Sequence, residues 1–235
     1  MDMLLPPDSA PSGATLADTA WQRLRRDIVS GTRPPGERLR IERLREFYGI
    51  GPTPLREALQ RLSAEGLVIA EGNRGFAVAP LDPAEFSDLT RARIAVEREC
   101  LRLSIAHGDR AWEARVVSAT YLMASADADT VPGADDWEQA NADFHLAMVA
   151  ACGSDWLLRV RAGLQTLAER YRRASVDRSR GRRDLGAEHK AISEAVLARD
   201  VEKALVLTER HYGKTEEELR AAAPPSDEHQ DLGKE

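Results

Sequence analysis

Apolar positions recur at helical spacing through most of the chain and give way to short apolar runs near residues 68–78. From Thr15 to about Ser30, Leu16, Ala20, Leu24 and Ile28 recur every four residues, which predicts a helix ended by Gly31. Pro34-Pro35-Gly36 is a sharp turn leading to Leu39. Ile41, Leu44 and Phe47 make a short helix that stops at Gly49. The stretch Gly49–Leu67, GIGPTPLREALQRLSAEGL, then reads as a tight turn and an amphipathic helix. Leu55, Ala58, Leu59 and Leu62 share one side; Thr53, Arg56, Glu57 and Gln60 share the other. Pro52 and Pro54 suit its first turn, where a missing N–H costs no helical hydrogen bond. Gly66 can take the positive φ that ends a helix. Val68-Ile69-Ala70 and Phe76-Ala77-Val78 flank the turn Glu71-Gly72-Asn73-Arg74-Gly75, a predicted hairpin with an Arg at its tip.

Pro80-Leu81-Asp82-Pro83 is a boundary, and no strand signal appears beyond it. Asp82 can cap a helix with Pro83 at its first position. Six helices are predicted after it: Pro83–Ala106, Ala111–Ala126, Asp135–Cys152, Asp155–Ala174, Gly181–Ala198 and Val201–Ala222. The chain is thus expected to be mainly α. A winged helix-turn-helix domain over residues 14–80 precedes an all-α six-helix bundle over residues 81–222. Residues 1–13 and 223–235, with their Pro, Ser, Gly and charged residues, are expected to be disordered.

Composition is that of a soluble globular protein, and no apolar run approaches the roughly 20 residues that span a bilayer. The N-terminus lacks a basic segment and a long apolar core, so a cytoplasmic location is expected. Cys100 and Cys152 form no disulfide framework and are expected as buried free thiols. The net charge of −6 argues against a nucleic-acid partner, but its distribution does not. Residues 14–80 hold eleven Arg against eight Asp and Glu, 11 − 8 = +3, which leaves −6 − 3 = −9 for the rest. A basic module on an acidic body suits a protein that touches DNA through one domain.

Near its start, the Gly49–Leu67 helix points Thr53, Arg56 and Gln60 outward. A helix that reads base edges in a major groove needs that arrangement. An ordinary solvated face is the plainer account of the same residues. In the bundle, Asn141 and His145 lie four apart and share a helix face, while His189 and His211 fall on two further helices. Three imidazoles and an amide oxygen could surround a divalent transition metal, since imidazole suits zinc, nickel, copper or iron. A hydrogen-bonded core His is the commoner fate of such a residue. Arg93 could grip a carboxylate bidentately or pair with Glu97, four residues on. Trp112, Trp137 and Trp156 are expected in the core. No phosphate loop, HExxH motif or nucleophile–base pair appears, although a His-bound metal could activate water.

The blocks IVSGTRPPGERL, TPLREALQRLSAEGLV and GNRGFAV, in that order within residues 14–80, resemble the N-terminal domain of the GntR family of bacterial transcription regulators. Thr53 and Arg56 match that motif. Where the family usually writes Ser-Arg-Thr-Pro, this chain has Gly51-Pro52-Thr53-Pro54, so the Arg that commonly contacts the operator is absent. Arg93-Ile-Ala-Val-Glu97, Asn141-Ala-Asp-Phe-His145, Glu188-His189 and His211 resemble the FCD ligand-binding domain of the family's FadR-type branch. The resemblance implies a homodimer on a near-palindromic operator, with Thr53, Arg56 and Gln60 at the groove and Arg74 on the wing. It also implies a metal, zinc or nickel foremost, on Asn141, His145, His189 and His211. A small carboxylate effector would bind that metal and Arg93. Asn141 stands where the family more often has Asp. Two alternatives remain: a metal-dependent enzyme with an accessory head, and a metabolite sensor that has lost DNA binding.

Overall fold

A computed structural model of the chain describes residues 14–72, 75–179 and 183–222. The two terminal segments expected to be disordered, and Arg74 at the wing tip, lie outside the described residues. The chain divides into two units at Leu81 and Asp82.

In the first unit, helix α1 (Leu16–Val29) starts with a reciprocal cap. The Asp18 N–H donates to the Thr15 hydroxyl and the Asp18 carboxylate accepts from the Thr15 N–H, both at 3.1 Å. Ala20, Leu24 and Ile28 are buried, while Leu16 at the first position stays exposed. Helix α2 (Ile41–Tyr48) buries Leu44 and Tyr48. Phe47, expected on the apolar side, is 66% exposed. Tyr48 holds the inward place because its hydroxyl donates to Asp27 at 2.5 Å and accepts from Arg33 Nε at 2.9 Å. Helix α3 (Pro52–Ala64) buries Leu55, Ala58, Leu59 and Leu62 and packs on α1. It ends where Gly66 takes φ 75°. Gly66 N–H then reaches Ser63 O at 3.1 Å and Leu67 N–H reaches Leu62 O at 3.0 Å, satisfying two terminal carbonyls.

Strands β1 (Arg38–Leu39), β2 (Val68–Ala70) and β3 (Phe76–Val78) form an antiparallel sheet in the order β1-β3-β2. The hairpin pairs Ile69 with Ala77. Strand β1, which pairs Leu39 with Phe76, goes beyond the expected elements; two residues carry no alternation for a pattern to reveal.

The second unit contains α4 (Pro83–His107), α5 (Arg110–Asp129), α6 (Asp135–Val149), α7 (Asp155–Ser179), α8 (Leu185–Leu197) and α9 (Val201–Ala222). Side chains of Asp82, Asp109 and Asp184 cap α4, α5 and α8 by accepting from Ala84, Trp112 and Ala187 N–H groups at 2.8, 2.7 and 2.9 Å. Helix α7 runs through the polar residues from Ser175, expected as a break, because no Gly or Pro interrupts them. Helix α6 stops earlier than expected, before the positive-φ Gly153.

Helix α4 packs against α7 and α9, α5 against α6 and α8, and α8 against α9. Trp112, Met123, Trp137, Phe144, Met148 and Val196 fill the core, with the free thiols Cys100 and Cys152. The buried indoles are satisfied: Trp112 Nε1 donates to Ala147 O and Trp137 Nε1 to Asp127 Oδ1, each at 2.9 Å. Trp156 is not a core residue. It lies in the first turn of α7, 73% exposed, with the Arg159 guanidinium 5.1 Å from its ring.

Candidate nucleic-acid interface and candidate metal centre

Packing Leu55, Ala58, Leu59 and Leu62 inward leaves Thr53, Arg56 and Gln60 on the exposed side of α3. No carboxylate pairs with Arg56 among the described residues. Arg61, two turns into the helix, is by contrast committed to the domain. It lies 3.2 Å from Asp18 and 3.7 Å from Glu65, stacked 3.7 Å above the Trp21 ring. Sequence reasoning passes over Arg40, Arg43 and Arg45, which sit exposed at the start of α2 and along it. None of them is ion-paired among the described residues. The signal is present in the chain: three Arg in the six residues RIERLR.

In the helical unit, α6, α8 and α9 bring His145, His189 and His211 together. Their candidate ligating atoms all lie within 4.8 Å of one another, and all three rings are buried. Ring centroids are 5.9 Å apart for His145 and His189, 5.2 Å for His145 and His211, and 5.0 Å for His189 and His211. His189 Nδ1 lies 2.8 Å from Asp127 Oδ2, and His211 Nδ1 lies 3.0 Å from Glu188 Oε2. An ionised carboxylate only accepts, so His189 Nδ1 donates to Asp127, while His211 Nδ1 faces both the Glu188 acceptor and the Arg183 Nη2 donor, 3.1 Å away. His189 Nε2 is buried and finds no partner among the described residues. His145 Nδ1 lies 3.5 Å from the Tyr212 hydroxyl.

Burial, then repulsion from the other two imidazoles, holds His145 well below the ordinary imidazole range. Burial likewise pushes His211 down to about 3, against the opposing pull of Glu188. Burial alone would raise Glu188, but hydrogen bonds from His211, Arg183 and Lys214 hold its carboxyl below the usual range. His145 and His211 are therefore neutral near pH 7, the form that can ligate a metal. Asn141 is buried one turn before His145 on α6.

Arg93 does not pair with Glu97. The Glu97 carboxylate instead accepts from Arg161 at 2.7 and 3.2 Å. Arg93 is buried, donates to Gln165 Oε1 at 2.7 Å, and lies 4.2 Å above the Tyr212 ring. The residues that orient the imidazoles, Asp127 and Glu188, also escape a reading of the sequence. Glu188 adjoins His189 in the chain yet serves His211, and Asp127 lies 62 residues from its partner.

Residues 16–78 match the family described as bacterial regulatory proteins, gntR family, and residues 88–214 match the FCD domain. The chain belongs to the GntR family. Among similar proteins, the HTH-type transcriptional regulator BphR of Paraburkholderia xenovorans (strain LB400) is 41% identical over 201 residues, 84% of this chain and 82% of that protein. The HTH-type transcriptional repressor GlaR of Escherichia coli (strain K12) is 37% identical over 197 residues, 81% of this chain and 90% of that protein. A transcriptional regulator GntR of Rhodococcus sp. RHA1 shares the fold, with a TM-score of 0.73 at 24% identity, covering 88% of this chain and 99% of that one. E. coli McbR/YncC does so with a TM-score of 0.73 at 19% identity, covering 88% and 98%. This GntR protein is a DNA-binding transcription regulator with a C-terminal effector-binding domain, and its relatives are regulators rather than enzymes. Among the described residues, no helix of this GntR regulator is long and apolar enough to cross a membrane.

Proposed function

We propose that this GntR regulator acts in the cytoplasm as a homodimer. Each winged helix reads one half of a near-palindromic operator, since two-fold symmetry in the protein calls for it in the DNA. Thr53, Arg56 and Gln60 face base edges, Arg40, Arg43 and Arg45 meet phosphates, and Arg74 serves the wing. His145, His189 and His211, with Asn141, would hold a divalent transition metal, zinc or nickel foremost. When bound, that ion supplies an electrophilic partner for a small carboxylate effector. Arg93 supplies a buried positive charge beside it. The effector changes operator affinity by binding one arrangement of the protein more tightly than another.

The observation that carries the sensing half is the buried, unpartnered His189 Nε2 within a cluster of three buried imidazoles. A buried ring nitrogen without a partner is costly unless something occupies the site. The DNA half rests on the unpaired Arg56 on the exposed side of α3. Arg56→Ala should weaken specific binding by about 1–3 kcal/mol, as loss of a base-reading Arg does. An electrophoretic titration on DNA from the protein's own upstream region tests this. Unchanged operator affinity would remove Arg56 from the reading surface. No specific retention of the unmutated protein would favour the alternative reading of a sensor without operator binding, which Pro52 motivates.

A further inference from the structure

His211 Nδ1 has two neighbours of opposite kind, the Glu188 carboxylate at 3.0 Å and Arg183 Nη2 at 3.1 Å. A neutral ring carries one proton, so Nδ1 can answer only one of them. If it accepts from Arg183, the proton sits on Nε2 and that nitrogen cannot ligate. If it donates to Glu188, Nε2 keeps the lone pair that a metal needs. The choice depends on where the other hydrogens of the network go.

Arg183 lies in the connection between α7 and α8, just before the α8 cap Asp184, and its side chain is 8% exposed. Its Nη2 carries two hydrogens and has two closer acceptors, Glu188 Oε2 at 2.5 Å and the backbone carbonyl of His211 itself at 2.7 Å. Nη1 donates to the Thr215 hydroxyl at 2.8 Å, and Nε donates to Glu188 Oε1 at 2.9 Å. With both Nη2 hydrogens committed to nearer oxygens, none is left for Nδ1. The same count closes on the carboxylate, which offers about four lone-pair sites. Arg183 Nε, Arg183 Nη2 and Lys214 Nζ, the last at 2.6 Å, fill three of them, and the proton on His211 Nδ1 fills the fourth. The Arg183 charge also opposes a second proton on His211.

We infer that Arg183 is a positioning residue of the imidazole cluster: by gripping both Glu188 and the His211 carbonyl, it holds the carboxylate on Nδ1 and leaves His211 Nε2 free to ligate. The inference rests on the proposed metal centre and adds a residue outside its helices. Arg183 joins α8 to α9 at the point where His211 must be aimed, through Glu188 on one side and His211 and Thr215 on the other. That grip needs the planar fork of an arginine, whose donors are fixed relative to one another, whereas an ammonium is a point charge.

Nitrogen NMR of the imidazole rings in the metal-free full chain tests this without any ion. His211 should carry its proton on Nδ1, and a proton on Nε2 would overturn the inference. Arg183→Met should leave His211 as a mixture of the two forms and lower zinc affinity about 10–100-fold, the usual loss when an orienting partner goes. His189, which Asp127 holds, should keep its single form in that variant. Equal disturbance of both rings would mark a general loosening of the fold and overturn the inference. Arg183→Lys keeps the charge and guards against a folding defect; it should also bind zinc more weakly because it lacks the fork. A single His211 form with undiminished zinc affinity in both variants would overturn the inference too. Failure of the unmutated chain to bind zinc would instead reject the metal centre beneath it, and the ring proton would still decide the role of Arg183.

Discussion

At His189 the position of one proton decides what the ring can do. Asp127 accepts from Nδ1, Trp137 holds the other Asp127 oxygen, and Nε2 is left to face the cluster. Such carboxylate–imidazole pairs orient metal ligands and raise their basicity. Asp127→Asn keeps the shape but replaces an obligate acceptor with a group that can also donate, so the ring is no longer confined to one tautomer. Zinc affinity should fall about 10–100-fold, with helical content unchanged. Calorimetric titration reads this directly, and wild-type affinity in the variant would remove Asp127 from the site. The three His can be named from the sequence because a family pattern can be laid over them. Asp127 cannot, since its partner lies 62 residues away and nothing beside it in the chain marks it. Arg93 shows the same limit. Spacing offers Glu97 as its partner, but the choice is made across helices, where Arg161 takes Glu97 in a bidentate pair.

Among the described elements, apolar spacing locates the helices of the first unit, and the breaks between them locate those of the second, where α7 buries Arg161, Gln165 and Arg170 beside Ala168 and Tyr171. Ends are less legible. Capping by Asp109 and Asp184 depends on side chains that fold back on the backbone, and a break after α7 is suggested only by polarity, which does not itself stop a helix. Strand β1 exists only because β3 offers it a partner. The α4–α5 junction carries a constraint that the sequence disguises as an ordinary turn. A Cβ at Gly108 would stand 2.1 Å from Trp112 Cε3, inside the ring that plugs the core. Trp112 cannot swing away without losing its bond to Ala147 O. Gly108→Ala should therefore destabilise the helical unit by about 1–3 kcal/mol, the usual cost of overpacking. Thermal unfolding checks this, and an unchanged midpoint would mean that the junction yields freely.

Across the whole molecule, charge is unevenly shared, with a basic DNA-reading segment and an acidic remainder. The helical unit also keeps buried titratable groups that tie its stability to pH. His145 and His211 titrate below the ordinary imidazole value of 6.5, His211 at about 3. Between those limits the unfolded chain binds protons that the folded chain refuses, so stability is intact above pH 6.5 and lost as pH falls toward 3. Glu188, also lowered, adds to the loss below its free value of 4.5. Each group contributes at most about 1.4 kcal/mol per pH unit within its window. Metal-free protein should accordingly show a falling unfolding midpoint from pH 7 to pH 4, and a flat profile would contradict the burial of neutral imidazoles. The most direct test of the account is metal content after equilibrium dialysis against zinc or nickel. The unmutated chain should retain about one ion, the capacity of one His-rich site, and His189→Ala should lose it while staying helical. An unmutated chain that retains none, or a variant that retains as much, would contradict the proposed centre.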